Sequence, residues 1–227
     1  MTTTRARGTG RGRRLGLTRE KVAAAALELI DREGPDAFSL RKLAGELDVE
    51  PMSLYNHVPN KEALLDDVAE SLLGRVDFSG TESGTWQQRI GAHAVAFRAA
   101  ALRHPKAFPL VLTRPTRSPA AMENIRAALA SISELGLTPD EQVYIVRTFV
   151  AYIAGTIMRE LGSVITVGAM DRDQIQQRID EITAIGDPLL TETAPFLAVG
   201  DHEAEFRYGL DLLIDGLTAR IGASARP

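Results

Sequence analysis

The sequence predicts an all-α protein in two parts, a small helix-turn-helix head followed by a larger helical bundle. Three observations carry that reading. Apolar residues recur at helical spacing in nearly every segment after residue 17. Helix-starting and helix-stopping residues separate those segments. Basic charge gathers at the N-terminal end and acidic charge in the remainder.

In the head, Thr18 is an N-cap for a first helix with a buried stripe of Val22, Ala26, Leu29 and Ile30, stopping at Gly34-Pro35. Ser39 caps a short second helix with Leu40, Leu43, Ala44 and Leu47 turned inward, and Asp48-Val49 makes the turn. Pro51 then takes a first-turn position of a third helix, PMSLYNHV, where a missing N–H costs nothing. Asn60 caps a fourth helix through Leu64, Leu65, Val68 and Leu72.

Residues 77–84 (DFSGTESG) read as a linker. Thr85 and Gln88 form a capping box opening a helix to about Arg103. Pro105 starts a short helical segment, TRPTRSP at 113–119 is a loop, and Ser118-Pro119 opens a helix that Gly136 ends. Thr138 and Glu141 form a second capping box for a long helix to about Gly162. A further amphipathic helix covers about 172–185, a Pro- and Gly-marked loop 186–200, and a last helix about 201–221. SVITV at 163–167 is the one short run with strand character and is discounted.

At 227 residues and 44% hydrophobic content, the chain can bury a sizeable core. Cysteine is absent, which excludes a disulfide framework, a thiolate metal site and a cysteine nucleophile. There is no apolar run of about 18 residues and no signal-peptide pattern, so a soluble, cytoplasmic protein is expected. The net charge of −4 is unevenly placed: residues 1–61 hold 11 Lys and Arg against 8 Asp and Glu, and residues 62–227 hold 15 against 22. Arg5, Arg7, Arg11, Arg13, Arg14, Arg19 and Lys21 face only Glu20 in the opening stretch. Residues 1–17 thus read as a disordered basic arm, either simply solvated or drawn to phosphates. Catalytic motifs such as G-x-S-x-G, a phosphate-cradling glycine loop or H-E-x-x-H are missing, and the histidines at 57, 93, 104 and 202 lack metal-ligand spacing. No enzyme activity, metal or cofactor is expected.

A helix-turn-helix lays its second helix in the DNA major groove. Here that helix offers Pro51, Met52, Ser53, Tyr55, Asn56 and His57, with Leu54 and Val58 facing the core. Arg41 on the preceding helix is suited to a bidentate guanine contact, and Lys61 with the N–H groups of the helix opened by Asn60 is suited to phosphate. Singly, Tyr55 reads equally as core packing and His57 as a surface histidine. Together with the turn, Lys61 and the basic arm, they point to double-stranded DNA.

Ala26, Leu29, Gly34, Ser39 to Ala44, Leu47, Val49, Leu54-Tyr55, His57-Val58, Asn60-Lys61 and Ala63 to Leu65 resemble the tetracycline-repressor (TetR) family pattern of bacterial transcriptional regulators. The resemblance implies an all-helical homodimer that blocks a palindromic operator until a small-molecule effector binds the larger domain. It divides the chain into the arm, a DNA-binding domain at 18–76 and an effector-binding and dimerisation domain at 77–227. Trp86-Gln87, Phe97-Arg98, Thr113 to Thr116 and the Gly155 helix resemble the tetracycline-repressor subgroup in the body. That subgroup holds metal-chelated tetracycline through a histidine before the T-R-P-T loop and carboxylate chemistry on the long helix. The matching positions here are Leu110 and Arg159, neither an oxygen donor for a hard cation. The implied effector is therefore not magnesium-tetracycline.

Ligand pockets are mainly apolar with few polar anchors. The candidates are His93, Phe97, Arg98, Pro115, Tyr152, Met158 and Arg159. Phe97, Tyr152 and Met158 read equally as plain core, and Arg159 pairs either with a carboxylate near Glu160 or Asp187 or with an anionic ligand. Phe206, Leu210, Leu213, Leu217 and Ile221 give the last helix near-heptad spacing, and Ala151, Ala154 and Gly155 give the long helix a small-residue face. The resemblance makes Ala151, Ala154, Gly155, Leu210, Leu213 and Leu217 a dimer interface, with packing inside one chain as the alternative. Two other functions stay open, a DNA-binding regulator or activator without an effector, and, on a much thinner case, an enzyme.

Overall fold

The computed structural model describes residues 16–79, 83–114, 118–166 and 170–224, without the side chains of 163–166 and 224. The basic arm up to residue 15 and Pro115 lie outside the described residues. Among the described residues there are eleven α-helices, one 3₁₀ turn and no strand. The chain forms two compact units, Met1–Val68 and Ala69–Pro227.

The first unit holds α1 (Arg19–Glu33), α2 (Leu40–Glu46), α3 (Pro51–Leu54) and the start of α4 (Lys61–Leu73). The caps stand where the residue types place them. Thr18 accepts from the Lys21 amide, Ser39 from Lys42, and Asn60 Oδ1 from Ala63 at 2.8 Å. Gly34 ends α1 at φ 90°, in the half of backbone space that side chains avoid. Val22, Ala26, Leu27, Leu29, Ile30, Leu43, Ala44, Leu54, Val58, Leu64, Leu65 and Val68 form the core of this unit. Arg19 grips the Asp67 carboxylate with two hydrogen bonds of 2.7 Å, tying the first turn of α1 to α4.

One expectation here needs correction. The third helix is regular only over four residues, Pro51–Leu54, and Tyr55, Asn56 and His57 continue it as a turn. The amides of His57 and Val58 both reach the Leu54 carbonyl. Pro59 then forces Val58 out of helical geometry, because a proline ring clashes with a helical predecessor.

The second unit takes the end of α4 and adds α5 (Trp86–Arg103), α6 (Pro109–Thr113), α7 (Pro119–Ile132), a 3₁₀ turn (Ser133–Leu135), α8 (Pro139–Thr166), α9 (Arg172–Thr183), α10 (Pro188–Ala198) and α11 (His202–Ser224). The Thr85–Gln88 capping box is complete, and Gly136 ends the 3₁₀ turn in the left-handed region at φ 67°. Helices α5, α7, α8 and α11 pack around Trp86, Ile90, Ile132, Phe149, Ile157, Leu161, Phe206 and Leu210.

Three sequence expectations fail in this unit. Residues 105–108 are a turn, and the short helix starts at Pro109. The long helix runs past Gly162 to Thr166, so 163–166 are helical. The expected loop at 186–200 contains α10. Asp187 caps that helix through the Leu190 amide, Pro188 sits at its first position, and Pro195 lies inside it. The division between units falls within α4, before the expected linker at 77–84, because Leu72, Leu73 and Val76 continue the buried stripe into the bundle.

Candidate functional site

In the first unit, alternation of burial along residues 51–58 sorts the side chains. Leu54 and Val58 are fully buried, whereas Pro51, Met52, Tyr55 and Asn56 are exposed and Ser53 and His57 half-buried. Met52 is 73% exposed. Tyr55, 47% exposed, is not core packing. Arg41 is exposed on α2. Lys61 is placed differently from expectation: its ammonium donates to the Phe38 carbonyl at 3.0 Å and stands 5.6 Å from the Phe38 ring centroid. An ammonium has three donors, so one anchors the side chain while the group stays half-buried at the start of α4.

In the second unit, the described ligand candidates lie on α5 and α8. His93 and Phe97 lie on α5. His93 meets the Phe78 ring edge-on at 4.8 Å and lies 3.0 Å, Nδ1 to Oγ, from Ser131. The Ser131 hydroxyl also lies 3.1 Å from the Ala127 carbonyl, to which it can donate. Burial, and then the charge of Arg89, hold the His93 pKa below its ordinary value, so the ring is neutral near pH 7. Phe97 packs edge-on against Phe108 at 5.4 Å.

Arg98 is the hub of an ion cluster. It makes a bidentate pair with Glu160 of α8 at 2.9 and 2.8 Å, meets Glu203 of α11, and lies over the Phe206 ring at 5.2 Å. Arg98 and Glu160 side chains are both only 12% exposed. Burial opposes the guanidinium charge, but the Glu160 hydrogen bond and charge, with Glu203, outweigh it and raise its pKa. Glu203 is held below the usual carboxylate range by Arg207, then by Arg98. The arrangement supports α5, α8 and α11 rather than presenting an open cation.

Tyr152 is likewise engaged. Its hydroxyl donates to the Phe206 carbonyl at 2.8 Å, and its ring stacks on Phe206 at 6.1 Å. A Cβ at Gly209 would fall 2.4 Å from the Tyr152 hydroxyl, so the glycine is what lets α11 approach. Arg159 is exposed and pairs with Glu205 of α11. Met158 is 44% exposed on α8.

The expected dimer residues also separate. Ala151 and Gly155 are exposed on α8 and Ala154 is half-buried. Leu210 and Leu217 are buried within the chain itself and Leu213 is half-buried, so these leucines form the seam between α11 and α8. The outward apolar residues of α11 are Tyr208 and Leu212, and those of α8 include Tyr144, Val150 and Met158. An open groove of about 640 Å³ runs between these helices, lined by Leu135, Tyr144, Phe149, Leu213, Leu217 and Ile221 among others. None of the described ligand candidates lines it.

A helix-turn-helix head followed by an all-helical body is also what comparison with known proteins returns. The model of bacterial regulatory proteins of the tetR family matches residues 22–68, and that of the tetracyclin repressor-like C-terminal domain matches residues 79–221. The chain belongs to the TetR family. It is 32% identical over 210 residues to the class D tetracycline repressor protein of Escherichia coli, covering 91% of this chain and 92% of the relative. An HTH-type transcriptional repressor of Streptomyces coeruleorubidus is 29% identical over 219 residues, 91% of this chain and 79% of the relative. The TetR-family protein ActR of Streptomyces coelicolor, solved with actinorhodin, superposes with a TM-score of 0.81 at 25% identity, over 93% of this chain and all of that one. The chain is thus a ligand-responsive transcriptional repressor of the TetR family, with a DNA-binding helix-turn-helix domain and a ligand-binding C-terminal domain. Members of this family are DNA-binding regulators that act as dimers with small-molecule effectors. No helix among the described residues is long and apolar enough to cross a membrane.

Glu160→Ala leaves a largely desolvated guanidinium without its main partner and should cost about 3 kcal/mol in urea unfolding, the low end for a broken buried pair because some solvent reaches it. Glu203→Ala, at the exposed end of the cluster, should move the urea midpoint far less. For His93 the sign is fixed by its depressed pKa. The unfolded ring takes up a proton near pH 6.5 while the folded ring does not, so stability falls as pH drops below about 6.5 and levels off below the folded pKa. Urea midpoints measured from pH 8 to 5 should show this component in the wild type and lose it in His93→Gln.

Proposed function

We propose that the chain works as a homodimer whose two heads occupy the half-sites of a palindromic operator, and that an organic effector bound in the body releases it. The observation that carries the operator-reading role is the row Pro51, Met52, Ser53, Tyr55, Asn56 and His57, presented to solvent by a segment whose Leu54 and Val58 are fully buried. Arg41 completes the base-reading set, and Lys61, fixed by Phe38, offers its remaining donors to phosphate. The cytoplasm, where the operator lies, is the compartment of action.

The effector is a molecule held without a divalent cation. Leu110 is buried and apolar where the resemblance puts a metal-binding histidine, and Arg159 is paired with Glu205 where it puts carboxylate chemistry. His93, Phe97 and Pro115 are the side chains proposed to meet the effector, with Arg98, Tyr152, Met158 and Arg159 acting at most as its surroundings. The dimer is proposed to form through the outward faces of α8 and α11, around Ala151, Ala154, Gly155 and Leu212, with the partner copy covering the 640 Å³ groove.

Sequencing of genomic fragments retained by the purified protein at near-physiological salt tests this reading. Enrichment of a two-fold-symmetric site supports it, and retention with no symmetric site removes it. With that operator in hand, Tyr55→Ala should abolish operator binding while melt and dimer mass stay at wild-type values. Its buried neighbour behaves oppositely: Leu54→Ala should destabilise the protein by about 2–5 kcal/mol. A Tyr55→Ala protein that binds normally would remove the reading face proposed here. Lys61→Ala should weaken binding to all sequences alike and reduce the salt slope by about 1, measured by titration at several salt concentrations.

A further inference from the structure

The segment from Pro51 to His57 joins exposed apolar surface to a lack of positive charge. Pro51, Met52 and Tyr55 all face solvent, Met52 with 73% and Tyr55 with 47% of its surface. Tyr55 keeps helical dihedrals, φ −68° and ψ −13°, so residues 52 and 55 share one face and residue 51 lies beside 55. A lone exposed apolar residue is ordinary, but three together form a patch that is costly to leave in water. The patch does not hold the fold, because Leu54 and Val58, fully buried on the other side, already make the core contact of this segment.

The charges next to the patch are negative. No Lys or Arg lies between residues 51 and 57. Asp48 and Glu50, just before it, are exposed, and neither forms an ion pair with a described residue. The Glu50 carboxylate does not cap its own helix either. A phosphate that approaches this stretch meets carboxylates where a backbone grip needs cations. Base edges are the other part of the major groove, and the one apolar feature there is the C5-methyl group of thymine. Guanine presents two acceptors and cytosine an amine, which the Pro51 and Met52 side chains, having no strong donor or acceptor, would leave unsatisfied.

We propose that Met52, together with the Tyr55 ring, selects thymine in the operator by packing on its C5-methyl group. The proposal rests on the operator-reading role given to this segment above and adds the base chemistry that it recognises. Asn56, exposed and four positions on from Met52, suits the N6 and N7 atoms of adenine. The bases facing this segment are therefore A·T pairs, and guanine is left to Arg41, which is exposed on α2.

The test uses the full-length protein and the symmetric operator recovered by genomic selection, with thymine replaced by deoxyuridine at one position at a time in both half-sites. This exchange removes the methyl group and leaves the hydrogen-bonding edge intact. Titrations are run at low salt, where attraction to phosphate keeps weakened variants measurable. Burying one methyl group is worth about fourfold in affinity, so at one or two positions the wild type should bind about fifteenfold more weakly, both half-sites counted. At those positions Met52→Ala should show a penalty below about twofold, whereas Met52→Leu, which keeps an aliphatic surface, should retain most of it. Both variants should keep wild-type melt and dimer mass, since Met52 lies outside the core. Wild-type affinity within about twofold at every deoxyuridine position overturns the proposal, and so does an operator with no thymine in its half-sites. A penalty undiminished in Met52→Ala overturns it as well, as does a changed dimer mass in that variant, which would assign the patch to a protein contact. A wild-type protein that recovers no symmetric operator sinks the operator-reading role itself, a result distinct from all of these.

Discussion

A four-residue helix has no stability of its own in water, because the cost of nucleating the first turn is not recovered over so few residues. Helix α3 exists only because Leu54 and Val58 are fully buried and the helix packs on α2. That burial fixes the rotation of the segment, and rotation decides which side chains meet solvent. With residues 54 and 58 inward, residues 51, 52, 55 and 56 have no other place to go. The reading face is thus a consequence of core packing, and its polar groups contribute little to holding it. This separation lets the exposed residues vary while the fold of the head stays unchanged.

The body follows a different rule, in which charges are neutralised among the helices themselves. Arg98 gathers Glu160 and Glu203, Arg159 takes Glu205, and Arg89 binds Glu134 and the Ser131 carbonyl. Buried ion pairs add little net stability compared with apolar packing, yet breaking one is expensive. They therefore act as registers, fixing α5, α8 and α11 in one arrangement. What remains along α5 for a ligand is His93, neutral near pH 7, and the ring of Phe97.

The head was legible in the sequence almost residue by residue. Thr18, Ser39, Asn60 and Gly34 each have one dominant physical use at a helix end, and the buried stripes follow from spacing alone. The body was legible where caps were strong, as at Thr85 and Gly136, and illegible where two signals conflicted. Pro195 reads as a breaker, but Pro188 and the Asp187 cap start α10 and Leu190, Ala194 and Ala198 face inward at helical spacing, which the structure favours. The near-heptad leucines of α11 looked like an intermolecular seam. A stripe cannot name its partner, and Leu210 and Leu217 turn out to pack within the chain. Ion partners were the least legible feature, since Arg98 finds Glu160 and Glu203 62 and 105 residues away.

Charge placement separates affinity from specificity more sharply than net charge implies. Residues 1–15 hold five arginines and no acid, so residues 16–61 hold six Lys and Arg against eight Asp and Glu. Within the folded head, Arg19 is paired with Asp67, Arg32 with Glu46 and Lys42 with Glu33. The reading face from Pro51 to His57 has no Lys or Arg at all. On the proposed reading, attraction to phosphate must then come chiefly from the arm, Arg41, Lys61 and helix N-termini. Base discrimination comes from short polar and apolar side chains that carry no long-range field. A dimer built this way gains DNA affinity from its arms regardless of sequence, while the spacing and angle of two nearly neutral faces decide which site is held. Release then requires no change in any contact residue. On that reading, two faces that no longer match successive grooves leave only the unspecific attraction of the arms.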